Sequence, residues 1–212
     1  MVLLNLNITG TKNRKLKCMK QDRAIVWFRE DLRLEDNLAL VEASSFKDVI
    51  VLYIFDETKE IGSASKLYLS ESLKKLEGDL ASKGVKLFFF KGEVSEVILN
   101  LVEQYKVNCV LCNTSFNPEL RKDEVFLKKA LQGSSCELKT FNSSLLLKPN
   151  DNLKKDGSPY LVYTPFFKNF FKNYKPSKPV SFKNLESKIK KINSSLSLEE
   201  LNLRTYSSWE KK

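Results

Sequence analysis

The sequence of 212 residues contains no histidine. That absence removes Ser/His/Asp and Cys/His nucleophilic catalysis, histidine general bases and every His-containing zinc or haem site. Arginine is scarce too, six residues against thirty lysines. Specific base readout leans on arginine, so direct DNA binding is not expected of the body of this chain. No run of eighteen apolar residues occurs, which excludes a spanning helix by hydropathy. Cysteine is sparse: Cys18, Cys109, Cys112 and Cys136. Cys109 and Cys112 have the spacing of a redox or zinc pair, but Val107–Cys112 reads as a buried strand. Residues three apart on a strand face opposite ways, so the sulfurs should diverge as two small buried hydrophobes. Neither a metal site nor a disulfide framework follows, and a reducing, cytoplasmic compartment is expected.

What is present supports a folded domain, with 42% hydrophobic and 29% charged residues. The net charge of +10 is unevenly spread. Residues 1–20 carry +5, residues 21–147 carry −3, residues 148–191 carry +8, and the last 21 balance. The patterned body is mildly acidic, and the positive excess sits in flanking segments. The charge of the C-terminal segment suits weak, salt-sensitive attraction to nucleic acid and no more.

Five apolar runs alternate with helical patterns: Ala24–Phe28, Val49–Phe55, Lys86–Phe90, Val107–Cys112 and Cys136–Phe141. Val49–Phe55 is continuously apolar, the mark of a strand buried on both faces. Between the runs, helices are predicted near Asn37–Ser44, over Ser65–Ser82, over Val94–Tyr105, and from Pro118 to about Leu131. Leu69, Leu73, Leu76 and Leu80 form the stripe of the second, and Gly84 ends it. Val97, Ile98, Leu101 and Val102 form that of the third. Strict βα alternation predicts a doubly wound, Rossmann-like α/β fold with five parallel strands covered by helices on both faces. After Phe141 the pattern turns irregular. Thr164-Pro165 then supplies a helix start, as N-cap and first-turn proline, for a helix over about 165–174. Phe166, Phe167, Phe170, Phe171 and Tyr174 lie on one face of it, before a polar, lysine-rich tail. The expected organisation is an N-terminal extension over 1–21, the α/β domain over 22–142, and a linker over 143–212. The extension reads as an upstream start ahead of Met19 or as an organellar transit peptide, and the former is preferred.

In such a sheet ligands bind beyond the C-terminal strand ends. The loops there are Arg29–Asp36, Asp56–Ser63, Lys91–Glu93 and Asn113–Glu119. None is a glycine-rich phosphate cradle, which excludes a dinucleotide fingerprint and a P-loop.

The first of these loops belongs to a longer motif. Ile25-Val-Trp-Phe-Arg-Glu-Asp-Leu-Arg-Leu-Glu-Asp-Asn-Leu-Ala-Leu40 closely resembles the opening of the photolyase/cryptochrome family, W-F-R-x-D-L-R-x-x-D-N-x-A-L. The resemblance continues in Leu52–Asp56, in Tyr68–Leu76 and in Asn113-Thr-Ser-Phe-Asn-Pro-Glu-Leu-Arg121. It ends with Gly157-Ser-Pro-Tyr-Leu-Val-Tyr-Thr-Pro-Phe-Phe-Lys168, similar to G-x-P-Y-x-V-F-T-P-F-x-K. Leu198–Leu203 and Trp209 look like the linker that precedes the family's second domain. The ordered motifs cover about residues 22–168.

The resemblance implies the antenna domain of a light-driven DNA-repair photolyase, which takes up light through a second chromophore and passes the excitation to FAD. It implies that FAD, the lesion site and the electron-relay tryptophans belong to a helical domain absent from these residues, so no catalytic residue is expected and the chain alone should be inactive. That domain, separate or lost, is the expected partner, with DNA engaged only indirectly, no membrane contact, and self-association through the aromatic helix. Pocket candidates at the strand ends are Phe28 and Arg29, Phe55 and Asp56, and Asn113, Ser115 and Phe116. An aromatic beside a carboxylate suits a flat heteroaromatic ligand. Asp31, Arg33 and Asp36 are expected to lock the turn by ion pairs and cap the next helix. Family members that bind methenyltetrahydrofolate commonly use a glutamate in the helix after strand four, and some a histidine after strand two. Here Leu120 stands at the first position, with Glu119 one residue earlier as a substitute, and histidine is lacking. The departure counts against folate, and a deazaflavin or FMN antenna, or an empty pocket, stands beside it. Two other classes compete: a cryptochrome-type signalling module and a stand-alone nucleotide-binding α/β protein, the latter weakened by the missing glycine-rich loop.

Overall fold

The computed structural model describes residues 22–204. Cys18, the expected extension and Trp209 lie outside the described residues. Five strands, β1 (Ala24–Phe28), β2 (Val49–Phe55), β3 (Leu87–Lys91), β4 (Cys109–Asn113) and β5 (Glu137–Phe141), form one sheet in the order β3-β2-β1-β4-β5. Every pairing is parallel. The connecting helices are α1 (Leu38–Ala43), α2 (Ser63–Ser82), α3 (Val94–Tyr105) and α4 (Pro118–Ala130). This is the Rossmann-like α/β architecture that the alternation of apolar runs predicts.

Side-chain alternation along the strands divides the core in two. Ala24, Val26 and Phe28 face α1 and α2, packing with Leu40, Leu73, Leu76 and Leu80. Ile25 and Trp27 face α3 and α4, packing with Ile98, Leu101 and Leu127. Cys109 belongs to the first cluster and Cys112 to the second, so their sulfurs do diverge. Of the α3 residues expected inside, Ile98 and Leu101 are buried, while Val97 and Val102 are half-buried. Two helices begin with clear chemistry. Asn37 accepts the Leu40 N–H and Asn117 accepts the Glu119 N–H, satisfying amides that a first turn leaves free.

Some boundaries differ from the sequence reading. Helix α2 starts two residues early, at Ser63. The aromatic helix α5 runs Tyr163–Asn173 with Val162, not Thr164, at the cap, and Pro165 sits within its first turn.

The segment expected to be a tail is a strap. The Val180 carbonyl accepts the Asp36 N–H at 2.8 Å, the Glu186 carbonyl accepts the Val49 N–H at 2.8 Å, and the Leu196 N–H donates to the Phe89 carbonyl at 2.9 Å. The last of these covers the outer edge of β3, an otherwise unpaired row of polar groups. Asp48, 3% exposed, accepts the Lys188 N–H at 2.8 Å and pairs with Arg23 at 2.8 Å. Leu185, Leu201 and Leu203 are buried in the first cluster and Ile192 in the second. An extended chain has no helical stripe, so single leucines among lysines gave no periodicity from which to expect this. Among the described residues no helix is long and apolar enough to cross a membrane.

Candidate functional site

A cleft of about 540 Å³ opens at the C-terminal ends of β1 and β2, between the loop after β2 and the start of α4. Its walls combine Trp27, Tyr53, Phe55, Leu69 and Leu120 with a charged rim. The crevice between β1 and β4, where strand order reverses, is instead filled by the chain itself. There the Asn113 amide donates to Asp31 and, at 2.8 Å, to Asn37, while its carbonyl oxygen accepts the Ser143 hydroxyl at 2.9 Å.

Of the residues expected at the pocket, Arg29, Phe55, Asp56 and Glu119 line the cleft. Phe28 does not. It is 1% exposed and packed on the opposite face of the sheet, because adjacent strand residues alternate. Asn113 is held in the polar network just described. Ser115 sits behind the cleft, its hydroxyl donating to Glu30 at 2.9 Å and its N–H to Glu124 at 3.0 Å. Phe116 is 37% exposed on the following loop and does not line the cleft. Glu119 stands at the rim, paired with Lys122 at 2.7 Å. In the turn after β1, hydrogen bonds to backbone and amide groups do the locking where ion pairs were expected. Asp31 accepts the Arg29 N–H at 3.1 Å, Arg33 donates to the carbonyls of Glu35, Asp36 and Ser143, and Asn37 caps the helix in place of Asp36.

Arg29 is the most heavily constrained of these groups. Its guanidinium carbon lies 4.6 Å from the centroid of the Trp27 ring. Nη2 pairs with Glu124 Oε1 at 2.8 Å and also donates to the Asn113 carbonyl, while Nη1 donates to the Leu120 carbonyl at 3.3 Å. The Nε is fully shielded and has no hydrogen-bond partner among the described residues. A buried guanidinium N–H without a partner costs free energy, part of what it takes to hold the Arg29 charge in this place.

Lys59, Asp123, Tyr53 and Trp27 also line the cleft and were not singled out from sequence. Trp27 was recoverable from strand alternation; Lys59 and Asp123 sit in loop and helix positions with no distinguishing pattern. Lys59 Nζ lies 3.2 Å from Asp56 and 2.5 Å from Asp123. Burial alone would raise the Asp56 carboxyl, but hydrogen bonds from the Thr58 hydroxyl and N–H, with the Lys59 charge, hold it below the ordinary carboxylate range. Burial likewise lowers the Lys59 ammonium, and Asp123 and Asp56 outweigh it to raise the group. Burial pushes the Tyr53 phenol up, with a smaller push from the Glu30 carboxylate. The lining thus holds five carboxylates (Glu30, Asp56, Glu60, Glu119, Asp123) and two cations, both cations already paired.

A doubly wound α/β domain belongs to the open-sheet class, in which a bound ligand lies beyond the C-terminal ends of the strands, where this cleft opens. The DNA photolyase family model matches residues 24–183, and the chain belongs to that family, with the α/β fold of its N-terminal domain. It is 32% identical over 163 residues to the deoxyribodipyrimidine photo-lyase of Agrobacterium fabrum, covering 76% of this chain and 34% of that protein. Among solved structures it resembles a class III photolyase from Agrobacterium tumefaciens, with a TM-score of 0.83 and 29% identity, over 93% of this chain and 42% of that one. It also resembles an archaeal photolyase from Sulfolobus tokodaii described with two FAD molecules and a novel light-harvesting cofactor. The TM-score there is 0.71 at 25% identity, over 88% of this chain and 42% of that one. The chain spans about a third of the length of the curated relatives it matches.

Proposed function

We propose that the cleft holds a light-absorbing chromophore, and that the domain passes its excitation to a flavin on a helical portion of a photolyase-type protein. The observation that carries this reading is the cleft itself, in which the aromatic rings of Trp27, Tyr53 and Phe55 stand beside carboxylates at the C-terminal strand ends, a lining suited to a flat heteroaromatic ligand. FAD enters only through that helical portion, and DNA is engaged through it as well.

The charge of the lining narrows the ligand class. Five carboxylates face the cleft and neither cation is free, so a phosphate there would lose its hydration and find repulsion. A heteroaromatic ring without phosphate, presenting an N–H donor, suits carboxylate acceptors. A phosphate-free deazaflavin therefore fits better than FMN; Leu120 in the wall counts against folate, with the neighbouring Glu119 as the carboxylate that would have to substitute. The archaeal relative is described with two FAD molecules and a novel light-harvesting cofactor, which keeps a flavin ring among the candidate classes.

The test is a fluorescence titration of the chain with 8-hydroxy-5-deazariboflavin, FMN and methenyltetrahydrofolate. The deazaflavin should bind tightest, by about tenfold or more over FMN, the equivalent of ~1.4 kcal/mol. Equal or tighter binding of FMN would remove the charge argument, and no binding of any probe would remove the chromophore reading.

A further inference from the structure

Trp27 is an oxidisable ring in the wall of a site for a photoexcited ligand, an arrangement that should defeat an antenna. An excited heteroaromatic is a strong one-electron oxidant. A touching indole that gave up an electron to such a ligand, and took it back, would return the pair to the ground state. The excitation would be lost as heat before transfer to an acceptor.

The wall is built against this outcome. The Arg29 guanidinium lies over the Trp27 ring at 4.6 Å from its centroid, in a site from which water is largely excluded. A fixed positive charge facing an indole favours the neutral ring, whose π face attracts it, and disfavours the radical cation, which it repels. The charge cannot swing away, because Glu124 and the Asn113 and Leu120 carbonyls fix the guanidinium plane. Trp27 itself is 2% exposed and its ring cannot withdraw from the cleft. Tyr53, the other oxidisable ring in the lining, is buried and kept as the neutral phenol, the form harder to oxidise.

We infer that Arg29 is a positioning residue that protects the excited state of the bound chromophore, by holding a cation on Trp27 and so blocking electron transfer from the indole. Glu124 serves as the anchor of that cation. The inference rests on the chromophore reading of the cleft, and it assigns to the Arg29–Glu124 pair a photophysical role separate from holding the ligand.

The experiment measures the fluorescence lifetime of bound 8-hydroxy-5-deazariboflavin in the full chain. Four proteins are compared: the parent, Trp27→Phe, the double variant Arg29→Met/Glu124→Gln, and the triple variant combining them. The double variant removes both buried charges together, since a lone buried charge would endanger folding. Parent and Trp27→Phe should give the same long lifetime. The double variant should shorten it several-fold, and the triple variant should restore it, because the electron donor is gone. A merely structural role for Arg29 would change affinity or stability and leave the bound-state lifetime alone. An unchanged lifetime in the double variant with probe bound overturns the inference and leaves the chromophore reading standing. A shortening that persists in the triple variant also overturns it. Failure of the parent to bind the probe or the other two chromophores overturns both.

Discussion

Lys59 joins the loop after β2 to helix α4 across the mouth of the cleft, its Nζ 2.5 Å from Asp123 and 3.2 Å from Asp56. One ammonium thus ties together the two elements that flank the cleft. Lys59→Ala is expected to cost about 1 kcal/mol of global stability, since the pair is only partly shielded. It should also speed chromophore association and dissociation together in stopped-flow measurements. The pH dependence follows from both partners. Asp56 is held below its ordinary value of 3.8, so its contribution is complete above 3.8 and is lost as pH falls further. Lys59 is raised above 10.5, so its contribution is complete below 10.5 and is lost as pH rises further. The stability difference between parent and Lys59→Ala should therefore be flat across the neutral range. A difference that vanished near pH 6 would show that another group governs the tie.

The cysteines give a second pH signature. Burial pushes the Cys109 and Cys112 thiols up to about 12 and that of Cys136 to about 11. An unfolded chain loses these protons near the ordinary value of 9.0, whereas the folded one keeps them. Folding stability should then fall above pH 9, by up to about 1.4 kcal/mol per pH unit for each thiol. In native buffer none of the three should react with a thiol reagent except at the rate of unfolding. Rapid modification of one of them in the folded chain would contradict its burial.

The fold was legible in the sequence because its signals are local. Val49–Phe55 reads as a doubly buried strand from seven apolar residues in a row, and all seven are buried. Cys109 and Cys112 fall on opposite faces through strand geometry alone. The site was legible only by region. Arg29 and Asp56 mark the right strand ends, but the choice between Trp27 and Phe28 depends on which face of β1 opens, and that depends on how α4 sits. The strap was hidden for a different reason. Leu185, Ile192, Leu201 and Leu203 each fill one notch in the core and follow no period.

The strap should matter to stability as much as a helix does. Leu201 and Leu203 are 0% and 2% exposed, in the same cluster as α1 and α2. Leu201→Ala or Leu203→Ala is expected to cost about 2–5 kcal/mol, read by chemical denaturation. A chain cut after residue 183, where the family match ends, should expose that face and the β3 edge and aggregate. If either leucine variant loses less than about 1 kcal/mol, the strap is dispensable packing.

Helix α5 is the reverse case, rich in aromatics yet with no buried residue among Tyr163–Asn173. Its rings stack on one another in two ladders. Tyr163, Phe167 and Phe171 have successive centroids 5.7 and 5.9 Å apart, and Phe166, Phe170 and Tyr174 have centroids 6.3 and 5.3 Å apart. The first ladder is open to solvent, with exposures of 71%, 44% and 71%. A helix of eleven residues is marginal by itself, and a contiguous apolar patch of this kind drives association. Because Phe167 and Phe171 are both exposed and no residue of the helix is buried, Phe167→Ser/Phe171→Ser should leave global stability within about 1 kcal/mol of the parent. Sedimentation velocity should show the parent self-associating as concentration rises and the double variant remaining monomeric. The lysines beside the ladder, Lys168 and Lys172, should make the parent's association weaker at low salt than at high salt, since two such faces carry like charge. A double variant that unfolds with unchanged association would place the rings in the core and end the case for an open face.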